Sequence, residues 1–365
     1  MKDLIIIEET REQVEFSRRE LFRTLGTAAA GAAVATSLIA SLTAQATAQE
    51  VPTASSSGKK VRIGLPLNYG PFNQPWRRGC WQIAKIVEEK GGELVTVRGE
   101  PSKQSEQQSE LQLLDQGIDV LIIGIYQTES ETAFIVDQAR AKGVKTVGFA
   151  VTVKDSPAVI EDNFGVGVNM GYLVQNALAR QGAIVQTAED RGFYAGFDAM
   201  ADTVELMTKY EPRMKLLPFM SGSVSTSDQI SKGRDNVLSL LQANPDPASV
   251  QAILSWWWPL AVGAGQALRT VDRDILIASH YFSDQLLGEM ATPGSRIRFA
   301  TDTPWTYMGG KVAELALRLG RDEPVENIVY RTPVNTIGPD GAEAALKELK
   351  EQDAAAIALL GKYGG

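Results

Sequence analysis

Val120-Leu121-Ile122-Ile123-Gly124 is an apolar run too short for a helix, closed by a glycine. It fits a strand buried on both faces, as in parallel sheets covered by helices on each side. Upstream, Val61-Arg62-Ile63-Gly64-Leu65-Pro66-Leu67 reads as another strand, followed by a proline- and glycine-bearing loop and a helix over 76–90. Gly91-Gly92 stop that helix. A strand at 93–97, a helix at 102–116, a helix at 131–142 and a strand at 144–149 complete a first set of four β-α units. A second set follows, with strands near 183–186, 215–219, 250–254 and 275–278. Its helices fall at about 170–180, 193–210, 227–242 and 259–270, and further β-α units run through 296–319 and 328–360. This alternation predicts parallel sheets flanked by helices, and two such sets predict an α/β chain of two doubly wound parallel-sheet lobes. Such sheets bind ligands beyond the carboxyl ends of their strands. A cleft between two lobes would therefore collect loops from both.

The chain has 365 residues, one histidine, one cysteine and a formal net charge of −8. That length accommodates two lobes of ordinary size, each with its own core. An acidic balance without a Lys/Arg cluster argues against a nucleic-acid partner, because phosphate binding needs a basic surface. Cys80 alone cannot form an internal disulfide, so cysteine usage says nothing about compartment.

Compartment is argued instead from the first fifty residues. Ser17-Arg18-Arg19-Glu20-Leu21-Phe22-Arg23 precedes an uncharged, alanine- and glycine-rich run over 24–49. The run ends in Ala44-Gln45-Ala46-Thr47-Ala48, small residues at the spacing a signal peptidase reads. Paired arginines before a mildly apolar stretch resemble a twin-arginine (Tat) export signal, with Leu21-Phe22 inverted and Arg23 in place of lysine. An N-terminal membrane anchor is the competing reading, but a spanning helix wants about 20 strongly apolar residues. We therefore expect a signal peptide over 1–48, cleavage near Ala48, a Ser/Thr-rich tether over 49–60, and a soluble protein in the periplasm.

Several stretches in order carry a family resemblance. They are Pro71-Phe72-Asn73-Gln74-Pro75-Trp76 after the first strand, Asp162-Asn163-Phe164-Gly165 before a helix, Leu240-Leu241-Gln242-Ala243-Asn244-Pro245-Asp246, and Ala261-Val262-Gly263-Ala264-Gly265-Gln266-Ala267-Leu268. From about 61 to 338 the chain resembles type I periplasmic binding proteins, which include ribose receptors. That resemblance implies three crossings between lobes, near Asn163, Asp302 and Glu326. The N-terminal lobe would then hold 61–162 plus 303–325, and the C-terminal lobe 163–302 plus 326–365. Sugar receptors usually carry an Asn-Asp pair ahead of the Ala-x-Gly-Ala helix, where this chain has Trp257 and Trp258. Indole offers one donor and no acceptor, which disfavours a polyhydroxylated ligand. Asn169-Met170-Gly171-Tyr172, Ser279-His280-Tyr281-Phe282-Ser283, Phe299-Ala300-Thr301-Asp302 and Leu319-Gly320 are similar to the TorT-like receptors, periplasmic partners of trimethylamine N-oxide sensor kinases. Trp76 and Tyr281 match aromatic pocket positions of that group, while Gly167 and Pro101 replace others.

The loop residues nominated for a cleft are Asn73, Trp76, Tyr126, Trp257, Tyr281, Asp302 and Trp305. Aromatic faces attract a methylated amine through their quadrupoles, at about 0.5–2 kcal/mol per ring. A carboxylate such as Asp302 would add charge complementarity, and an N-oxide oxygen would need an indole N–H or phenol O–H. Each has a plainer reading. Tryptophans at strand ends commonly pack in cores, and Asp302 could pair with an arginine or cap the helix after Pro304. Three consecutive tryptophans cannot all face one way, so Trp256 or Trp258 should pack inward. Arg77-Arg78 reads as helix-start surface rather than an anion clamp, and Cys80 as a small buried hydrophobe.

Gly165-x-Gly167 with Gly171 misses the dinucleotide spacing, and no Walker A loop, G-x-S-x-G elbow or H-E-x-x-H is present. With His280 as the only histidine, a His-based metal site would need unusual carboxylate ligands. The expectation is a non-enzymatic receptor without cofactor or metal, closing on trimethylamine N-oxide or a related amine and reporting to a membrane sensor kinase. The alternative is the substrate-binding protein of an ABC importer, docking on its permease and carrying a sugar or other small polar solute. A periplasmic enzyme is a third possibility that no acid-base pair nominates.

Overall fold

The computed structural model describes residues 60–70, 72–222 and 228–364. The expected signal peptide over 1–48, and the tether up to residue 59, lie outside the described residues. Residues from Lys60 onward form one compact unit built on two sheets.

The first sheet comprises β1 (Arg62–Asn68), β2 (Glu93–Gly99), β3 (Val120–Ile123), β4 (Lys145–Phe149), β5 (Ala158–Ile160) and β12 (Val329–Arg331). Their spatial order is β12-β5-β4-β3-β1-β2, and every pairing is parallel. All four residues of β3 are buried, as a two-faced central strand requires. The intervening helices are α1 (Gln74–Glu89), α2 (Lys103–Leu114) and α3 (Glu129–Ala141). Their starts follow local chemistry: the Ser102 hydroxyl accepts the Ser105 N–H at the head of α2, and Glu131 reaches back to the Thr128 N–H at the head of α3. Gly91, at φ 75°, takes the left-handed turn that ends the first of these helices.

The second lobe begins with α4 (Asn163–Ala177) and continues through β6 (Gly182–Ala188), α5 (Ala195–Lys209), β7 (Met214–Leu216) and β8 (Met220–Ser221). Then come α6 (Gln229–Ala243), β9 (Ala252–Ser255), α7 (Trp258–Leu268), β10 (Leu276–His280), α8 (Asp284–Ala291) and β11 (Ile297–Asp302). The sheet order is β13-β11-β10-β9-β6-β7, with β8 also on β6. Among the described residues only β13 (Asn335–Ile337) pairs antiparallel, a departure from the purely parallel expectation. After β11 the chain returns to the first lobe as α9 (Trp305–Gly320), which packs on α1. It ends in α10 (Pro339–Leu360), which lies against both α1 and α8 and so bridges the lobes.

The third passage between lobes falls later than expected. Val329–Arg331 hydrogen-bonds in register with Ala158–Ile160, so the chain leaves the first sheet between Arg331 and Asn335 rather than near Glu326. The β-α unit expected from residue 328 does open with this strand, but three residues carry too little pattern to assign it to one sheet or the other. Among the described residues, no helix is long and apolar enough to cross a membrane.

Candidate ligand-binding cleft

At the carboxyl ends of the strands the two lobes enclose a cavity of about 70 Å³. The first lobe contributes Asn73 at the cap of α1, Trp76 from its first turn, Pro101, Tyr126 and, from the start of α9, Trp305; the second contributes Trp257 and Tyr281. Six of the seven nominated residues therefore meet in one place. Glu189, Tyr194, Phe197 and Gln229 also line the cavity and had not been singled out. Glu189 follows β6 directly, so the carboxyl-end rule alone would have nominated it.

The aromatic walls lock one another. Trp76 stacks on Phe149 at 4.1 Å between centroids and meets Trp305 edge-on at 5.8 Å. Trp257 meets Tyr281 edge-on at 5.6 Å, and Tyr281 lies 6.2 Å from Trp305 across the cleft. These spacings suit aromatic pairs. Tyr281 adopts φ 66° immediately after β10, a left-handed conformation unusual for a bulky residue and held only where surroundings over-determine it.

The polar atoms divide into committed and open groups. Trp257 Nε1 donates to Gln229 Oε1 at 2.7 Å, and Gln229 Nε2 donates to Glu189 Oε1 at 2.7 Å. Asn73 Oδ1 accepts the Gly70 N–H at 3.0 Å, so that side chain braces its own turn. By contrast, Trp76 Nε1, Tyr126 OH and Trp305 Nε1 are buried without a hydrogen-bond partner among the described residues. Unmatched buried donors cost free energy, and here three of them surround one cavity. Burial pushes the Glu189 carboxyl up to about 7, with the neighbouring Asp190 charge adding to the shift and the Gln229 amide opposing it. Burial also holds the Tyr126 phenol well above its usual range.

Asp302 is not part of this wall. It is 7% exposed, and its Oδ1 accepts the Phe282 N–H at 2.9 Å. Burial raises its carboxyl to about 7, against the opposing pull of the Arg78 charge. The residue braces the second crossing, which corrects its nomination as a ligand contact. Arg78 is a second correction: only 2% exposed, it donates from Nη2 to the Phe282 carbonyl at 3.1 Å across the lobes. Trp256 and Trp258 are fully buried, Trp256 donating to Gln186 Oε1 and Trp258 to the Phe72 carbonyl of the opposite lobe.

A carboxylate behind the cavity ties the crossings together. Glu161, 2% exposed, accepts from Tyr194 OH at 3.0 Å, from Tyr281 OH at 2.8 and 2.9 Å, and from Thr303 Oγ1 at 2.8 Å. His280 Nε2 lies 3.6 Å away. Glu161 stands at the first crossing and Thr303 at the second, while two of the hydroxyls belong to cavity-lining tyrosines. Among the described residues, no group of three or more His, Cys, Asp and Glu is arranged to hold a metal ion.

Residues 65–319 match the family model described as a periplasmic binding protein domain. The chain belongs to that family. No curated protein sequence matches it, but many solved structures share its fold. An ABC transporter solute-binding protein from Agrobacterium vitis with bound allitol is 20% identical, with a TM-score of 0.70, covering 80% of this chain and 100% of that one. The arabinose ABC transporter's periplasmic binding protein from Shewanella, bound to L-arabinofuranose, is 16% identical at TM-score 0.70, covering 81% and 98%. The 5-methylthioribose transporter solute-binding protein from Thermotoga lettingae is 16% identical at TM-score 0.68, covering 84% and 93%. At these identities the likeness concerns the fold, type I periplasmic binding protein architecture with two lobes about a cleft.

Proposed function

We propose that this periplasmic binding protein is the solute receptor of an ABC importer, closing on a small polar solute in the aromatic cleft and presenting the closed form to its permease. The observation that carries the reading is the cavity itself, lined from both lobes and ringed by the free donors of Trp76, Tyr126 and Trp305. Contacts to both halves favour the closed state over the open one. Structural neighbours that are importer receptors with bound polyols and sugars support transport over sensing. The family implies the periplasm as its compartment.

A second reading, reception of trimethylamine N-oxide or a related amine on behalf of a sensor kinase, is favoured by one feature. Trp257 N–H and Tyr281 O–H are already committed to protein acceptors, so the cleft keeps few polar partners for a polyol but many aromatic faces for methyl groups. A thermal-shift screen of arabinose, allitol, 5-methylthioribose and trimethylamine N-oxide tests both. A ligand at a hundred times its Kd adds about 2.7 kcal/mol to stability. Protection by none of the four, at millimolar concentrations, would sink both readings. A neighbouring gene for a permease and ATPase, or for a kinase, separates the partners.

A further inference from the structure

Among the residues that line the cleft there is one acid, Glu189. Glu189 emerges from the end of β6 into the cavity wall. Its position is fixed by a relay in which Trp257 holds Gln229 and Gln229 holds Glu189, both links at 2.7 Å. The polar groups around it are few. Gln229, at the head of α6, donates to it; Asp190, next in the chain, repels its charge and is itself bonded to the Ser221 hydroxyl of β8. From the first lobe, the Tyr126 phenol feels the Glu189 charge. Arg191 is committed to Asp198, Asp202 and Glu205. Among the described residues, no lysine or arginine forms an ion pair with Glu189. A half-buried carboxylate without a cation retains its proton nearer neutrality or receives a positive charge from outside.

The first lobe supplies the opposite chemistry. Trp76 and Trp305, 1% and 3% exposed, present N–H groups without partners, and the Tyr126 hydroxyl joins them. These groups donate only, or donate most readily, and so call for an acceptor oxygen. The same cavity is lined by the rings of Phe197, Trp257 and Tyr281, and aromatic faces attract a cation through their quadrupoles.

We infer that Glu189 selects the solute: it receives the positively charged nitrogen of a small ammonium compound whose oxygen is held by Trp76, Trp305 and Tyr126. The inference rests on the cleft being the ligand site, as proposed above, and adds the class of compound. A neutral polyol would satisfy the donors but leave the acid without a counter-charge. An ammonium compound bearing a hydroxyl or oxide oxygen matches both ends.

Binding of such a cation requires the ionised acid, so it is linked to protons. With a Glu189 carboxyl at about 7, the ionised fraction rises about ten-fold between pH 6 and pH 8, and affinity rises with it. The experiment is calorimetric titration of the intact protein with choline, trimethylamine N-oxide and L-arabinose at both pH values, repeated with Glu189→Gln, Trp257→Ala and Trp76→Ala. We expect choline to bind about ten-fold tighter at pH 8 than at pH 6, and Glu189→Gln to cut affinity at pH 8 at least ten-fold while abolishing the pH effect. Thermal unfolding of the glutamine variant within a few degrees of the wild type shows that it is folded. Choline binding indifferent to both pH and Glu189→Gln overturns the inference, as does failure of choline to bind at all. Arabinose binding that is lost in Trp257→Ala but unchanged in Glu189→Gln overturns the assignment of Glu189 while leaving the cleft intact. Binding of any probe that survives both tryptophan substitutions unchanged overturns the cleft reading and this inference together.

Discussion

Replacing Asp302 separates a structural role from a ligand contact, and asparagine and alanine at this position should differ in stability by the worth of one buried hydrogen bond. Its Oδ1 accepts the Phe282 N–H at 2.9 Å, and its carboxyl is raised to about 7 by burial, with Arg78 opposing. A carboxyl raised in the folded state favours folding while protonated; that contribution is lost as pH climbs from the unfolded value towards 7. Taking 3.8 for the unfolded chain and 7 for the folded one, ionisation costs about 2 kcal/mol at pH 5 and about 4 kcal/mol at pH 8. Asp302→Asn keeps an acceptor for Phe282 and cannot ionise. It should therefore match or exceed the wild type in urea unfolding at pH 5, and its advantage should grow by about 3 kcal/mol at pH 8. Asp302→Ala escapes ionisation equally but deprives the buried Phe282 N–H of its partner, so it should be less stable than Asp302→Asn by about 1–3 kcal/mol at both pH values. Ligand affinity per folded molecule should survive in the asparagine variant. A pH-independent gap between Asp302→Asn and the wild type would refute the burial argument. Unchanged stability with abolished ligand binding would return Asp302 to the cleft.

Glu161→Gln should cost about 2 kcal/mol in thermal or urea unfolding, because three hydroxyl donors lose a charged acceptor; an unaffected midpoint would mean the crossings are held by something else. Gly263→Ala should be among the most destabilising single changes in the second lobe, since its Cβ would overlap the Ile230 carbonyl and Arg234 N where α6 and α7 touch. Gly288→Ala is the control, with open space around the same atom in the middle of α8. It should raise stability by about 0.5–1 kcal/mol, which a shift in the urea midpoint would register.

The lobes and most of their elements were legible because their signals are local. The central strand Val120–Ile123 is apolar throughout and lies where its sequence pattern puts it, and the helix over 131–142 is displaced by only two residues at its start. Three-residue strands were legible in part: Met214–Leu216 overlaps the strand expected near 215–219, and Val329–Arg331 opens the β-α unit expected over 328–360. Ala158–Ile160 was not expected, and three residues leave no room for a pattern that would reveal its pairing with Val329–Arg331. The tryptophan run was half legible: alternation requires neighbours to face apart, and Trp257 faces the cavity while Trp256 and Trp258 are buried.

The charged residues were the least legible, for a common reason. Arg78 opens an amphipathic helix beside a second arginine, as surface arginines often do, yet α10 and the second lobe cover it. Nothing within ten residues of it announces the Phe282 carbonyl that it contacts. Asp302 and Glu161 likewise take their roles from partners more than a hundred residues away or from a crossing that only the folded chain creates. Sequence patterns report burial through periodic apolar residues, and isolated buried charges leave no such trace.

Those charges also connect the cleft to the crossings. Tyr281 has its ring in the cavity wall and its hydroxyl on Glu161, which Thr303 grips from the second crossing. Its left-handed backbone leaves little freedom to adjust locally. A ligand that contacts the ring therefore acts on an element that cannot relax without disturbing the carboxylate hub, and the same hub holds Tyr194 of the second lobe. A ligand shifts a conformational equilibrium only through differential contact with the two states. With the proposed solute in the cavity, Tyr281 would join contact there to the geometry of the crossings. Loss of its hydroxyl in Tyr281→Phe should thus leave the aromatic wall in place while weakening the link between ligand binding and closure.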